Sequence, residues 1–243
     1  NVFVDLLADP GGATLAAVTD AENRSLITTN TTPASGGKIV LAASDRFGRA
    51  VGHAGQMFAA GGTVRMQAAR INDRGPIIVS APSWQLNADG GNVELIGSQE
   101  VVVGEDKLGI PADIAADAGR TGTGGSITLQ SGGTVTLEVG TITRTPSPDD
   151  PTAPLPREDV IISAAGGVDS GDGGHIKIIA DDFSIAPGSQ IDASPQDATS
   201  NQGVLEIETP TVTIANGANA GIADTVYEED IETLSTNGTS VVV

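Results

Sequence analysis

Six times along this chain a glycine, usually the second of a Gly-Gly pair, is followed by an apolar residue two places on and another four places on. The pairs are Ile39/Leu41 after Gly37, Val64/Met66 after Gly62, Val93/Leu95 after Gly91, Ile127/Leu129 after Gly125, Ile176/Ile178 after Gly174 and Leu205/Ile207 after Gly203. Between the two apolar residues stand Val40, Arg65, Glu94, Thr128, Lys177 and Glu206, five of the six polar or charged. Alternation at period two predicts a strand with one face buried and the other in water. A second strand signal follows at Ile71, Val101/Val103, Val135/Leu137, Phe183/Ile185 and Val212/Ile214. A third is an apolar residue followed by small ones, at Leu86–Asp89, Ile114–Asp117, Ile162–Ala165 and Ile191–Ser194.

The glycines that open these units are 25, 29, 34, 49 and 29 residues apart. The longest interval contains the stretch 145–158, which holds five of the chain's 13 prolines and cannot supply amide protons to a sheet. It is expected to be a surface loop inserted at a turn. Three short strands per unit, each too weak to hide its apolar face alone, predict a parallel β-helix in which equivalent strands stack. About seven coils would make a column roughly 33 Å long at the usual strand spacing. The repeat runs through nearly all of the chain, so a single domain over 1–243 is expected, with 1–36 as a divergent first coil and 204–243 as an acidic last coil.

Composition narrows the alternatives. Only 2% of residues are aromatic and 32 are glycine, so the core must be narrow and filled by Val, Ile, Leu and Ala. No segment sustains a helical period. The absence of cysteine removes disulfides as a staple and fits a bacterial exported protein. The first residue is Asn1, with no basic or apolar leader after it, so any export signal is expected to lie outside this sequence. No run approaches the ~18 apolar residues of a membrane-spanning helix, and no membrane insertion is expected.

A net charge of −19 argues against nucleic acid as a partner. The charge is unevenly placed. Lys38, Arg46, Arg49, Arg65, Arg70 and Arg74 face only Asp45 and Asp73 in residues 38–74. From residue 204 onward stand Glu206, Glu208, Asp224, Glu228, Glu229, Asp230 and Glu232 with no basic residue. Solvated faces account for this, and attraction between the ends of separate copies is the sharper alternative.

The pattern resembles the repeat region of filamentous-haemagglutinin-like exoproteins, the large secreted partners of two-partner secretion systems. Residues 124–129 (GGSITL) and 170–194 (SGDGGHIKIIADDFSIAPGSQIDAS) carry the resemblance, with 36–43 and 61–68 similar to them. It covers about 37–215 and lacks the Asn-Pro-Asn hallmarks of the family's amino-terminal secretion domain. The resemblance implies a right-handed coil, export to the bacterial cell surface, and adhesion as the role.

Candidate chemistry adds little to this. Enzymes that act on acidic polysaccharides from such folds stack carboxylates on one exposed strand face, whereas the outward row here mixes signs and neutral residues. Asp169, Asp172, Asp181 and Asp182 form the densest acidic cluster, but Asp169 and Asp172 sit in a glycine turn where Asp is favoured for local hydrogen bonding. His175 is expected to face solvent, and neither it nor His53 has a second His or Cys at metal-ligand spacing. Gly171–Gly174 lacks the lysine of a phosphate loop. Sequons begin at Asn23, Asn30 and Asn237, as chance allows in such a composition, and the single Trp84 and Tyr227 do not make an aromatic platform.

No catalytic residue, cofactor or metal ligand is therefore assigned, and the chain is not expected to be an enzyme. Both ends of the sequence, 1–7 and 239–243, are apolar, which suggests a longer shaft or pairing between copies. The leading expectation is a structural or adhesive shaft segment of a secreted cell-surface exoprotein. The second is a subunit of an extracellular filament assembled end to end, and the third an enzyme on surface polysaccharide. Expected partners are other copies, flanking coils of a longer chain, and host or surface glycans.

Overall fold

The computed structural model describes residues 2–5, 26–28, 37–43, 50–105, 111–138, 160–187, 189–214, 219–220 and 240–242. The proline-rich stretch, most of 1–36, Arg46, Arg49, the acidic residues beyond Glu208, Tyr227 and the three sequons lie outside them. Among the described residues every regular element is a strand, and no helix is long and apolar enough to cross a membrane.

The strands form two sheets, and every strand pair is parallel. The larger sheet contains β1 (Val2–Asp5), β3 (Lys38–Ala42), β6 (Thr63–Asp73), β8 (Asn92–Val103), β10 (Ser126–Ser131), β13 (His175–Ile179), β16 (Val204–Glu208) and β19 (Ser240–Val242) in that order. Beside them run β4 (Ala50–His53), β11 (Thr134–Leu137), β14 (Asp182–Ile185) and β17 (Val212–Ile214), which stack with the carboxyl-terminal halves of β6 and β8. The smaller sheet is β2 (Leu26–Thr28), β5 (Gln56–Phe58), β7 (Ile77–Ile78), β9 (Ile114–Ala115), β12 (Ile161–Ser163), β15 (Gln190–Asp192) and β18 (Asn219–Ala220), again in sequence order. The larger sheet curls into a half-barrel.

All six aliphatic pairs predicted from the glycine pattern are buried. They stand in register: Ile39, Val64, Val93, Ile127, Ile176 and Leu205 are successive partners, as are Leu41, Met66, Leu95, Leu129, Ile178 and Ile207. The second signal is also in register, through Ile71, Val101, Val135, Phe183 and Val212. The core is as thin as the composition requires, with Phe183 the one buried aromatic among the described residues.

The third signal needs one correction. Ile114, Ile162 and Ile191 pair as expected, but the preceding rung is Ile77, not Leu86. Leu86 is 60% exposed and bridges Thr121 on an outer turn. Both segments carry an apolar residue before small ones, and the Pro82–Leu86 excursion displaced the expected position by about nine residues. The strand β4 escaped notice because a single Val51 between Ala50 and Gly52 gives no visible alternation.

The unit closes at its glycines. The amide of the second glycine donates to a carbonyl at the end of the smaller-sheet strand, Gly91 to Val79 (3.0 Å), Gly125 to Ala116 (2.6 Å), Gly174 to Ala164 (2.8 Å) and Gly203 to Ala193 (3.1 Å). The same glycines stack directly on one another: a Cβ on Gly125 would lie 2.0 Å from the Gly91 carbonyl oxygen and 2.9 Å from that of Ala116. Backbone on two sides leaves nothing that can yield.

Gly125→Ala is therefore expected to lower stability by about 3 kcal/mol or more, at the upper end of overpacking costs. Gly61→Ala has a different origin of cost, since Gly61 has a φ of 61° and an added Cβ would meet only the Asp89 carbonyl oxygen, at an ordinary 3.8 Å. That change should cost about 1–2 kcal/mol, the ordinary penalty for a left-handed L-residue. Urea denaturation followed by far-UV circular dichroism measures both, and equal effects would contradict the steric account.

Candidate functional site

The most unusual chemistry lies inside the stack. β4 lies on β6 with Val51 opposite Ile71 and His53 opposite Asp73, so both polar residues fall on the inward parity set by the aliphatic ones. The same core row continues as Val103, Leu137 and Ile185. His53 is 7% and Asp73 0% exposed, and His53 Nδ1 lies 2.7 Å from Asp73 Oδ1. His53 Nε2 and Asp73 Oδ2 find no hydrogen-bond partner among the described residues.

Burial raises the Asp73 pKa above the ordinary carboxylate value, because a charge in this apolar row loses its hydration. The hydrogen bond and charge of His53, the Gly75 amide and the Arg74 charge oppose that rise without overcoming it. Arg74 itself is directed elsewhere, to Asn72 Oδ1 (2.6 Å), Glu138 (2.7 Å) and the Glu105 carbonyl (3.5 Å). A carboxylate on imidazole Nδ1 is the orienting half of a general base. Here Nε2 is enclosed in the core with no bonded hydroxyl among the described residues, so the pair acts on packing before chemistry.

On the outer face, the row read from the sequence is in register as Val40, Arg65, Glu94, Thr128, Lys177 and Glu206, all half-buried. Neighbouring units pair across it. Arg65 Nη1 meets Glu94 at 2.5 Å, and Lys177 Nζ meets Glu206 at 2.9 Å and Glu208 at 2.6 Å. These bonds hold Lys177 above, and Glu206 below, their ordinary pKa values. His175 lies on the same face, as expected, with Nε2 3.2 Å from Glu206.

The acidic cluster of the sequence does not converge. Asp172 accepts from the backbone and side-chain amides of Asn201 (2.8 and 3.0 Å), which lowers its pKa. Asp169 pairs with Arg120 at 2.5 Å, while the exposed Asp181 and Asp182 donate their backbone amides to Gly133. Among the described residues no three His, Cys, Asp or Glu side chains gather as metal ligands. Two aspartates that the sequence did not single out have structural roles. Asp197 caps its own turn through Thr199 and Ser200, which depresses its pKa strongly. Asp117 joins three units, accepting from Ser80 on one side and from Ser163 and the Ala165 amide on the other.

The inward His53 was legible in principle, since His53 and Asp73 each follow an aliphatic residue by two places. Only the pairing of β4 with β6 turns that parity into contact. The chain matches no protein-family model, no curated protein and no solved structure.

Because the folded-state pKa of Asp73 is raised, the folded form binds a proton more readily than the unfolded form. Its contribution to stability is full below the ordinary carboxylate range and is lost as pH rises through the raised value. Asp73→Asn removes this dependence. The variant should gain on the parent chain as pH rises through that window, by up to about 1.4 kcal/mol per pH unit. Urea denaturation at a series of pH values tests this, and a difference that does not vary with pH would contradict it.

Proposed function

We propose that this chain is a right-handed parallel β-helix of about seven coils, serving as a non-catalytic structural and adhesive shaft segment of a secreted bacterial cell-surface exoprotein. The observation that supports this reading best is the unbroken register of equivalent strands from Val2 through Ile39, Val64, Val93, Ile127, Ile176 and Leu205 to Val241. A stack of this kind lengthens without changing its cross-section, which is the property a shaft requires. The polar side chains support the same reading, because Arg65, Lys177, Asp117 and Asp172 spend their bonds on the neighbouring unit. The sequence resemblance supplies the surface location and the adhesive role, with surface glycans and flanking coils as the partners it suggests.

A filament subunit is the second reading. It is favoured by β1 and β19, the outermost strands of the larger sheet, each of which has one neighbour among the described strands. Charge attraction between ends supports it less than the sequence suggests, because Arg65 and Arg74 are already paired with Glu94 and Glu138.

Antibodies raised against the purified chain should label intact, unpermeabilised cells of the source organism, and beads coated with the chain should bind host cells or matrix above a bare-bead control. Labelling only after permeabilisation would overturn the reading. Negative-stain electron microscopy of the same material is expected to show discrete particles, and continuous fibres would favour the filament instead.

A further inference from the structure

Two inward rows run side by side through the larger sheet. The row through Val51, Ile71, Val101, Val135, Phe183 and Val212 is apolar throughout. The row two residues on is apolar only from Val103 onward, and its first two described rungs are His53 and Asp73. A polar pair thus occupies the junction between β4 and the rest of the stack.

Within the four residues of β4 the side chains do little else to determine register, although β5, two residues on, is itself held on β7. β4 is four residues long and has β6 as its one neighbour among the described strands. A shift of two residues preserves the alternation of inward and outward side chains, so hydrophobic burial alone tolerates it. Seating β4 on another unit would likewise bury Val51 against an aliphatic residue. Either move separates His53 from Asp73. A shift one way sets Val51 against Asp73, and a shift the other way sets His53 against Ile71. Asp73 then keeps its burial and loses its side-chain partner, a strongly unfavourable state for a carboxylate. No other side chain compensates, since the Arg74 guanidinium is bonded to Asn72, Glu105 and Glu138. The later buried rungs offer His53 only Val103, Leu137 or Ile185.

We propose that the His53–Asp73 pair is a register pin, a buried polar contact that allows β4 one seat on β6 and none on any other unit. Buried polar pairs used in this way trade stability for a unique alignment. His53 Nε2 and Asp73 Oδ2, which have no partner among the described residues, are consistent with that trade, because an apolar pair would leave nothing unsatisfied.

The chain has no cysteine, so introduced thiols report without background. Ala50→Cys with Arg70→Cys joins an in-register pair about 4.8 Å apart, within disulfide reach. Ala50→Cys with Asn72→Cys spans roughly 8 Å and closes only after a two-residue slip. With His53 and Asp73 present, oxidation of the purified chain should cross-link the first combination and leave the second at background. In the H53V/D73V background the slipped combination should rise to a yield comparable with the native one. Cross-linking confined to the native combination in that background would overturn the proposal. If H53V/D73V does not fold, the exchanged pair H53D/D73H decides: native-only cross-linking upholds the pin, and slipped cross-linking refutes it.

Discussion

The structure depends on a place where a side chain cannot exist. At Gly62, Gly91, Gly125, Gly174 and Gly203 the chain turns from the smaller sheet into the larger one, and backbone of the unit before it, with backbone of the same unit or, at Gly174, the Ala164 Cβ, lies within 3 Å of any added Cβ. The amide at that corner is bonded to the strand it has just left, and its carbonyl receives the next unit. A methyl group there would separate both contacts at once. The glycine is thus required by the spacing of stacked strands, and its recurrence sets the recurrence of everything else.

From that corner follows the thinness of the core. Two sheets that meet at a bare glycine stand close together, and the space between them accepts Val, Ile, Leu, Ala and Met with one phenylalanine. Such a core leaves few ways to make one unit differ from the next. Distinctions between units are carried by polar groups: Arg65 with Glu94, Ser80 with Asp117 and Ser163, Asp172 with Asn201, and His53 with Asp73. Each is a contact between neighbours in the stack, separated by 20–46 residues in sequence. The same allocation explains why Asp169, Asp172, Asp181 and Asp182 form no common site among the described residues. These carboxylates are spread over different corners, where Asp169 meets Arg120 and Asp172 meets Asn201.

The first strand was legible in the six units that open on a glycine, where glycine, alternation and length coincide. β1 and β19, which pair with β3 and β16, have no such glycine and were not legible from the pattern. The second was legible wherever two aliphatic residues alternate, as at Val135 and Leu137, and missed at Val51, where glycine and histidine surround a single aliphatic residue. The third was legible in three units, missed at β5, and displaced in one, where Ile77 and Leu86 offer the same local pattern and only the ladder to Ile114 distinguishes them. His175 was placed correctly by parity. His53 was not, because parity has meaning only once its strand has been recognised.

The sequence by itself determined the period and the buried and exposed faces of the first strand, which follow from the geometry of a single extended chain, and a core built almost wholly of aliphatic side chains, which follows from composition. The tertiary structure alone decided which residues meet between units. Stacking brings together positions that sequence separation leaves independent, and local pattern carries no information about the partner across a gap of variable length. That is why a histidine and an aspartate 20 residues apart became a buried pair, while four aspartates within 14 residues did not become a site.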